Sequence, residues 1–260
     1  MVSKKGKSLC IFSAKGGVGK TITTINLAGI ISSMGKKVLI LDMDLASGGI
    51  AVCLNKEPKK NIFNLWEDLR ENRYREFSNY VTKYNDSIYF IASPKDPRQA
   101  IKMSSKYIDL IIERALFIYD VVLIDTTHYL NEVNLVTLDK VDYILFVTTN
   151  NTMDLKNLKS ILSIFRDLNI DNYKVLLNNS INPYNEYFGL YDIRNVLKTN
   201  IDYMLSSKFF IKNIDSYIMD GKILTLENKI NLSFSKDISV LMTLATDFMS
   251  QKEVKSNEEE

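Results

Sequence analysis

The stretch AKGGVGKTITTINLAG, residues 14–29, sets Gly16, Gly17 and Gly19 around Val18 and follows them at once with Lys20 and Thr21. Phosphate oxygens need several backbone N–H donors together, and glycine lets a chain curl close enough to supply them. A helix starting there points its positive end at the anion. Lys20 then reaches the outer phosphates, and the Thr21 hydroxyl is a ligand for Mg²⁺. The flanks fit. Residues 8–13 (SLCIFS) read as a buried strand, and residues 20–34 as a helix stopped by Gly35. Ala14 stands where the usual GxxxxGK[ST] spacing has its first glycine, so the loop is a deviant form. A second lysine, Lys15, precedes the glycines. One nucleotide needs one such cation, and the second suggests that another copy of the chain takes part.

Outward from the loop, short apolar runs alternate with helical patterns. Residues 37–42 (KVLILD), 87–92 (SIYFIA), 120–125 (DVVLID), 143–148 (YILFVT) and 173–178 (YKVLLN) read as strands. Residues 62–72 read as helical, and so, more weakly, does the stretch up to Tyr84. A helix over 98–118 is expected from Ile108, Ile111, Ile112 and Ala115 on one face. One over 154–168 carries the stripe Leu155, Leu158, Ile161, Leu162, Phe165 and Leu168. Residues 187–232 show no clear period. A last helix is expected over about 236–249, ahead of the polar tail KEVKSNEEE. Continuous apolar strands between amphipathic helices predict an α/β fold in three layers, a mostly parallel sheet covered by helices on both faces. The expected organisation is one domain over 1–250 and a disordered tail over 251–260.

Bulk properties narrow the function classes. The net charge is +2, so any cationic surface must be local. Cys10 and Cys53 lie far apart and form no CxxC pair, which argues against zinc, an iron–sulfur centre or a disulfide framework and suits a reducing cytoplasm. The start, MVSKKGKSLCIF, lacks the apolar core of a signal peptide. No run approaches the roughly 18 apolar residues of a membrane span.

Three motifs together, KGGVGKT at 15–21, DMD at 42–44 and DVVLID at 120–125, resemble the deviant-Walker P-loop ATPases that include the ParA partition proteins, MinD and the nitrogenase iron protein. The resemblance runs over about residues 7–250 and is densest before 130. It implies ATP and Mg²⁺ as cofactors, weak intrinsic ATP hydrolysis, and a homodimer formed on ATP. In that family the extra lysine crosses the dimer seam to the partner's nucleotide, the role implied for Lys15. A lysine from each side offsets the phosphate charge only when nucleotide is present. The resemblance implies a catalytic set of Lys15, Lys20 and Asp44, with Asp44 orienting the attacking water. It implies a nucleotide cradle from Lys15 through Gly16, Gly17, Val18, Gly19, Lys20, Thr21 and Ile22. Thr21, Asp42 and Asp125 are the implied magnesium residues, Asp125 at the Walker B position. Asp42 serves either the metal or the loop, or is a strand-end cap. Asn179 resembles the asparagine that pairs with the adenine edge, with a turn cap as the alternative.

Two departures stand out. Ile22 replaces a threonine that contacts the α-phosphate, leaving that contact to backbone. TTHYLN at 126–131 replaces a TPP-type sequence; Thr126 and Thr127 can still act as a switch, and His128, the single histidine, reads as a packed loop residue.

Among branches, the cluster carriers need paired cysteines. A MinD-like membrane helix needs basic flanks; the helix over 236–249 has an apolar face of Ile238, Leu241, Met242, Ala245, Phe248 and Met249 without them, so stable membrane binding is not expected. The expectation is a ParA-type partition ATPase, cytoplasmic and nucleoid-associated. It binds DNA non-specifically and is stimulated by a centromere-binding adaptor. Arg194, Lys198, Lys208 and Lys212 are the candidate DNA contacts, diluted by interleaved acids, with Asp215 where the family has an arginine. Without a helix-turn-helix ahead of the first strand, operator-specific binding is not expected. The alternatives are a MinD- or flagellar-positioning-type ATPase at a membrane or pole, and a nucleotide-dependent scaffold without turnover.

Overall fold

The computed structural model describes residues 5–183 and 187–250; the polar tail at 251–260 lies outside them. The strands are β1 (Lys7–Phe12), β2 (Val38–Met43), β3 (Thr82–Lys83), β4 (Ile88–Ile91), β5 (Val121–Thr126), β6 (Tyr143–Thr148), β7 (Tyr173–Asn178) and β8 (Tyr203–Leu205). They form one sheet in the order β3-β4-β2-β5-β1-β6-β7-β8. Only the β3–β4 pair is antiparallel. The apolar runs are unbroken because both faces are covered. In β2, Val38 and Ile40 enter one core while Leu39 and Leu41 enter the other.

The first layer holds α1 (Lys20–Ser33), α2 (Ile50–Cys53), α9 (Ile214–Met219), α10 (Asn228–Ser233) and α11 (Ser235–Ser250). The second holds α3 (Ile62–Arg70), α5 (Ile108–Ile118), α6 (Glu132–Lys140), α7 (Thr152–Asp167) and α8 (Leu190–Leu197), with the short α4 (Pro97–Lys102) resting on it through Ala100. α7 shows the sequence logic cleanly. Asn151 caps it by accepting from Met153 and Asp154 N–H groups, and its stripe from Leu155 to Phe165 is buried.

Several expectations are corrected. The weak helix before Tyr84 is a 3₁₀ turn at Phe77–Tyr80 followed by β3. The helix expected over 98–118 is broken. Asp96 caps α4 at Arg98 N and Pro97 opens it, but Met103 turns extended and buries, and a 3₁₀ turn at Ser105–Tyr107 restarts the chain into α5. Residues 187–232, without period in the sequence, yield α8, β8, α9 and α10. α6 and α2 were not expected. In α11, Leu244 is buried where Met242 was expected and Met242 is 47% exposed, because the stripe turns toward α1 and β8.

Candidate functional site

β1 is a central strand, and the chain leaves it into the glycine loop, so the loop sits at the carboxyl end of the sheet, where open α/β sheets bind ligands. Gly17 has φ +77° and Gly19 has φ +91°, values that side chains rarely adopt. At Gly19 space also forbids one: an added Cβ would meet Asn178 Nδ2 at 2.7 Å. Asn178 bolts the loop down, its Nδ2 donating to Val18 O at 3.0 Å. The loop thus ends as the amino-terminal cap of α1, at Gly19, where no side chain caps the first-turn N–H groups.

Lys20 is buried at 8% exposure and its Nζ donates to Ser13 Oγ at 3.0 Å. Burial lowers its pKa first, and Asp125 and Asp44 pull it back up. Thr21 Oγ1 donates to Asp125 Oδ2 at 2.7 Å, and Thr24 Oγ1 donates to Asp125 Oδ1 at 3.3 Å. Asp125 is fully buried, and that burial pushes its carboxyl up to about 6. Asp42 lies beside it, in register on the neighbouring strand. Burial and then the Asp125 charge raise the Asp42 pKa well above the carboxylate range. Two adjacent buried carboxyls next to a threonine hydroxyl form a hard oxygen donor set, the chemistry that suits a divalent cation. Asp42 also accepts from Ile50 N at 3.1 Å, so it anchors the loop into α2 as well.

Asp44 sits just past β2 and accepts from Ser47 N at 3.3 Å. It shares a cavity of about 710 Å³ with Gly16, Lys20, Thr21 and His128. Lys15 is exposed and lines a smaller cavity of about 90 Å³ with Asn179. Asn179 Oδ1 is buried with no hydrogen-bond partner among the described residues. Ile22 lines an apolar cavity of about 110 Å³ with Ile181, Phe209 and Ile211. Its side chain completes an apolar wall, which explains isoleucine at that position.

The phosphate-loop residues, Asp42, Asp44, Asp125 and Asn179 therefore converge. The four basic candidates do not. Arg194 and Lys198 are exposed on and just after α8, in the layer of α7, and Lys198 also ends α8 at φ 53°. Lys208 and Lys212 are exposed in the layer of α1 and α11. None of the four makes an ion pair among the described residues. Sequence reasoning missed Thr24, Asn178, Ser13 and Asn134. Thr24 alone carried a signal, standing three residues after Thr21 on the same helical face.

The AAA_31 family, described as an AAA domain, matches residues 6–182. An ATP-binding protein of Methanocaldococcus jannaschii is 29% identical over 141 residues, 54% of this chain and 52% of that protein. The chain spans about half the length of the first curated relatives it matches. A ParA family ATPase from Chlorobium tepidum TLS superposes with a TM-score of 0.78 at 17% identity, covering 94% of this chain and 99% of that one. The septum site-determining protein MinD from Pyrococcus horikoshii OT3, complexed with Mg-ADP, superposes with a TM-score of 0.75 at 18% identity, over 93% and 95% of the two chains.

Proposed function

We propose a function from one premise: the chain belongs to the AAA_31 family and is a ParA/MinD-type P-loop ATPase. It binds Mg-ATP, dimerises on it, holds duplex DNA without sequence preference, and releases it on slow hydrolysis, in the service of segregating a plasmid or chromosome. The observation that carries the chemistry is the Thr21–Asp125 bond at 2.7 Å beside the buried Lys20. Loop amides and Lys20 bind the phosphates, while Thr21 and Asp125, with Asp42 alongside, hold Mg²⁺. The cation supplies charge neutralisation at the phosphoryl oxygens. Asp44, projecting into the same cavity, orients the attacking water. Lys15, exposed at the rim, serves a second copy of the chain. Among the described residues no arginine lines the site, which fits slow turnover until an adaptor bound at the centromere orders the loops.

The DNA reading is favoured over a membrane reading by α11. Ile238, Leu241, Leu244, Ala245 and Phe248 are buried against the sheet, so that apolar face is already used. An amphipathic helix binds a lipid surface through such a face. Gel shift on random-sequence duplex is the test. Retardation with ATP and not with ADP, weakening steeply with salt, is expected. Sedimentation with liposomes in place of DNA retardation would turn the assignment to a MinD-type protein. Absence of turnover with every tested adaptor would leave a scaffold.

A further inference from the structure

The chain's single histidine stands over the phosphate loop. A Cβ built on Gly16 would lie 3.4 Å from His128 Cε1 and 3.5 Å from Nδ1, so one edge of the imidazole rests on that glycine. The ring lines the 710 Å³ cavity together with Lys20, Thr21 and Asp44, and it feels the charge of both Lys20 and Asp44.

Its direction is set from both sides. Thr126 Oγ1 donates to Ile11 O at 2.8 Å, tying the start of the segment to β1. Asn134, fully buried on α6, donates through Nδ2 to Thr127 O at 3.3 Å and to Tyr129 O at 2.6 Å. It thereby grips the carbonyls on either side of His128. Asn134 is itself located by Asn131, whose Oδ1 accepts from its N–H at 2.9 Å. Tyr129 packs on the ring at a centroid distance of 3.9 Å. Burial first, and then the Lys20 ammonium, lower the pKa of the imidazole, which favours its neutral form. A neutral imidazole keeps one N–H to donate. Preorganised donors of this kind, held before the ligand arrives, are the effective ones in phosphate sites.

We propose that His128 donates a hydrogen bond to the terminal phosphoryl group of a bound nucleoside triphosphate, so that the segment clamped by Asn134 distinguishes triphosphate from diphosphate. The proposal rests on the ATPase reading above. It concerns a residue that stands where the resembling family often has a TPP-type sequence.

Because there is one histidine, its ring signals in an NMR spectrum report on this position alone. With Mg²⁺ at constant pH, β,γ-imido-ATP should move those signals clearly and ADP should leave them near their nucleotide-free positions. His128→Ala should weaken binding of β,γ-imido-ATP about tenfold, the worth of one hydrogen bond to a charged group, and leave ADP affinity unchanged. Asn134→Ala should reproduce part of that loss with the histidine still present. Ring signals that respond equally to both nucleotides, or a His128→Ala protein with unaltered preference, would overturn the assignment. Lys20→Ala is the control for the site as a whole. A wild-type protein that bound neither nucleotide would overturn the ATPase reading and this proposal with it.

Discussion

The carboxyl end of the sheet and the segment from Leu190 to Ser250 are built on opposite principles. At the sheet end, the start of α1, the turn after β2 and the end of β5 bring Lys20, Asp44 and Asp125 together, and buried hydroxyls and amides lock them. In the C-terminal segment, short helices and turns present the four candidate cations separately, Arg194 and Lys198 on one layer of the fold and Lys208 and Lys212 on the other. Phosphate chemistry needs convergence within hydrogen-bond distance, whereas a non-specific hold on a polyanion needs only enough positive charge in reach. The first kind of site fails when one atom is lost. The second should fade by increments.

The largest effect expected is at the loop. Lys20→Ala should lower nucleotide affinity by about 100-fold or more in isothermal titration, since the loop loses its one buried cation. Asp44→Ala should keep nucleotide and slow hydrolysis by about 100-fold, read in a phosphate-release assay, and should hold a lasting dimer. Lys15→Ala should keep nucleotide and lose the ATP dimer by light scattering; a dimer that persisted would remove the exposed lysine from the assembly.

A smaller effect comes from pH. Asp125 has its carboxyl raised to about 6, and Asp42 is raised as well. An unfolded aspartate ionises near about 3.9, so between these values the folded state binds more protons and stability falls as pH rises. Without nucleotide, the melting temperature of the wild type relative to Asp125→Asn should therefore drop from pH 5 to pH 7, by a few degrees; a flat difference would contradict the buried-pair picture. The smallest effects should come from the basic pairs. Arg194→Ala with Lys198→Ala, and separately Lys208→Ala with Lys212→Ala, should each weaken DNA binding several-fold and reduce the salt exponent by about two. A pair that changes neither does not face the duplex.

Legibility in the sequence followed the same division. The glycine loop was readable because its residues are contiguous and each type answers one local need. Asp42 and Asp125 were readable because strand ends converge in a parallel sheet. Their register pairing was not, since it depends on β2 lying beside β5. Asn134 and Asn178 were invisible: asparagines that clamp a loop leave no periodic or spacing signal, and their partners are set by which elements pack together. The helix over 98–118 was misjudged because apolar spacing alone does not reveal that Met103 leaves the helical path to bury.

What residues 14–29, the strand-end aspartates and the alternation of apolar runs determined alone was the layered α/β fold and the phosphate-binding end of the sheet, because short-range backbone geometry and side-chain period are local properties. Only the folded chain decided that Lys20 is buried against Ser13, that His128 lies on Gly16, and that the basic residues divide between two layers. Those relations join positions far apart in the chain, and they arise when strand order and helix packing bring the positions together.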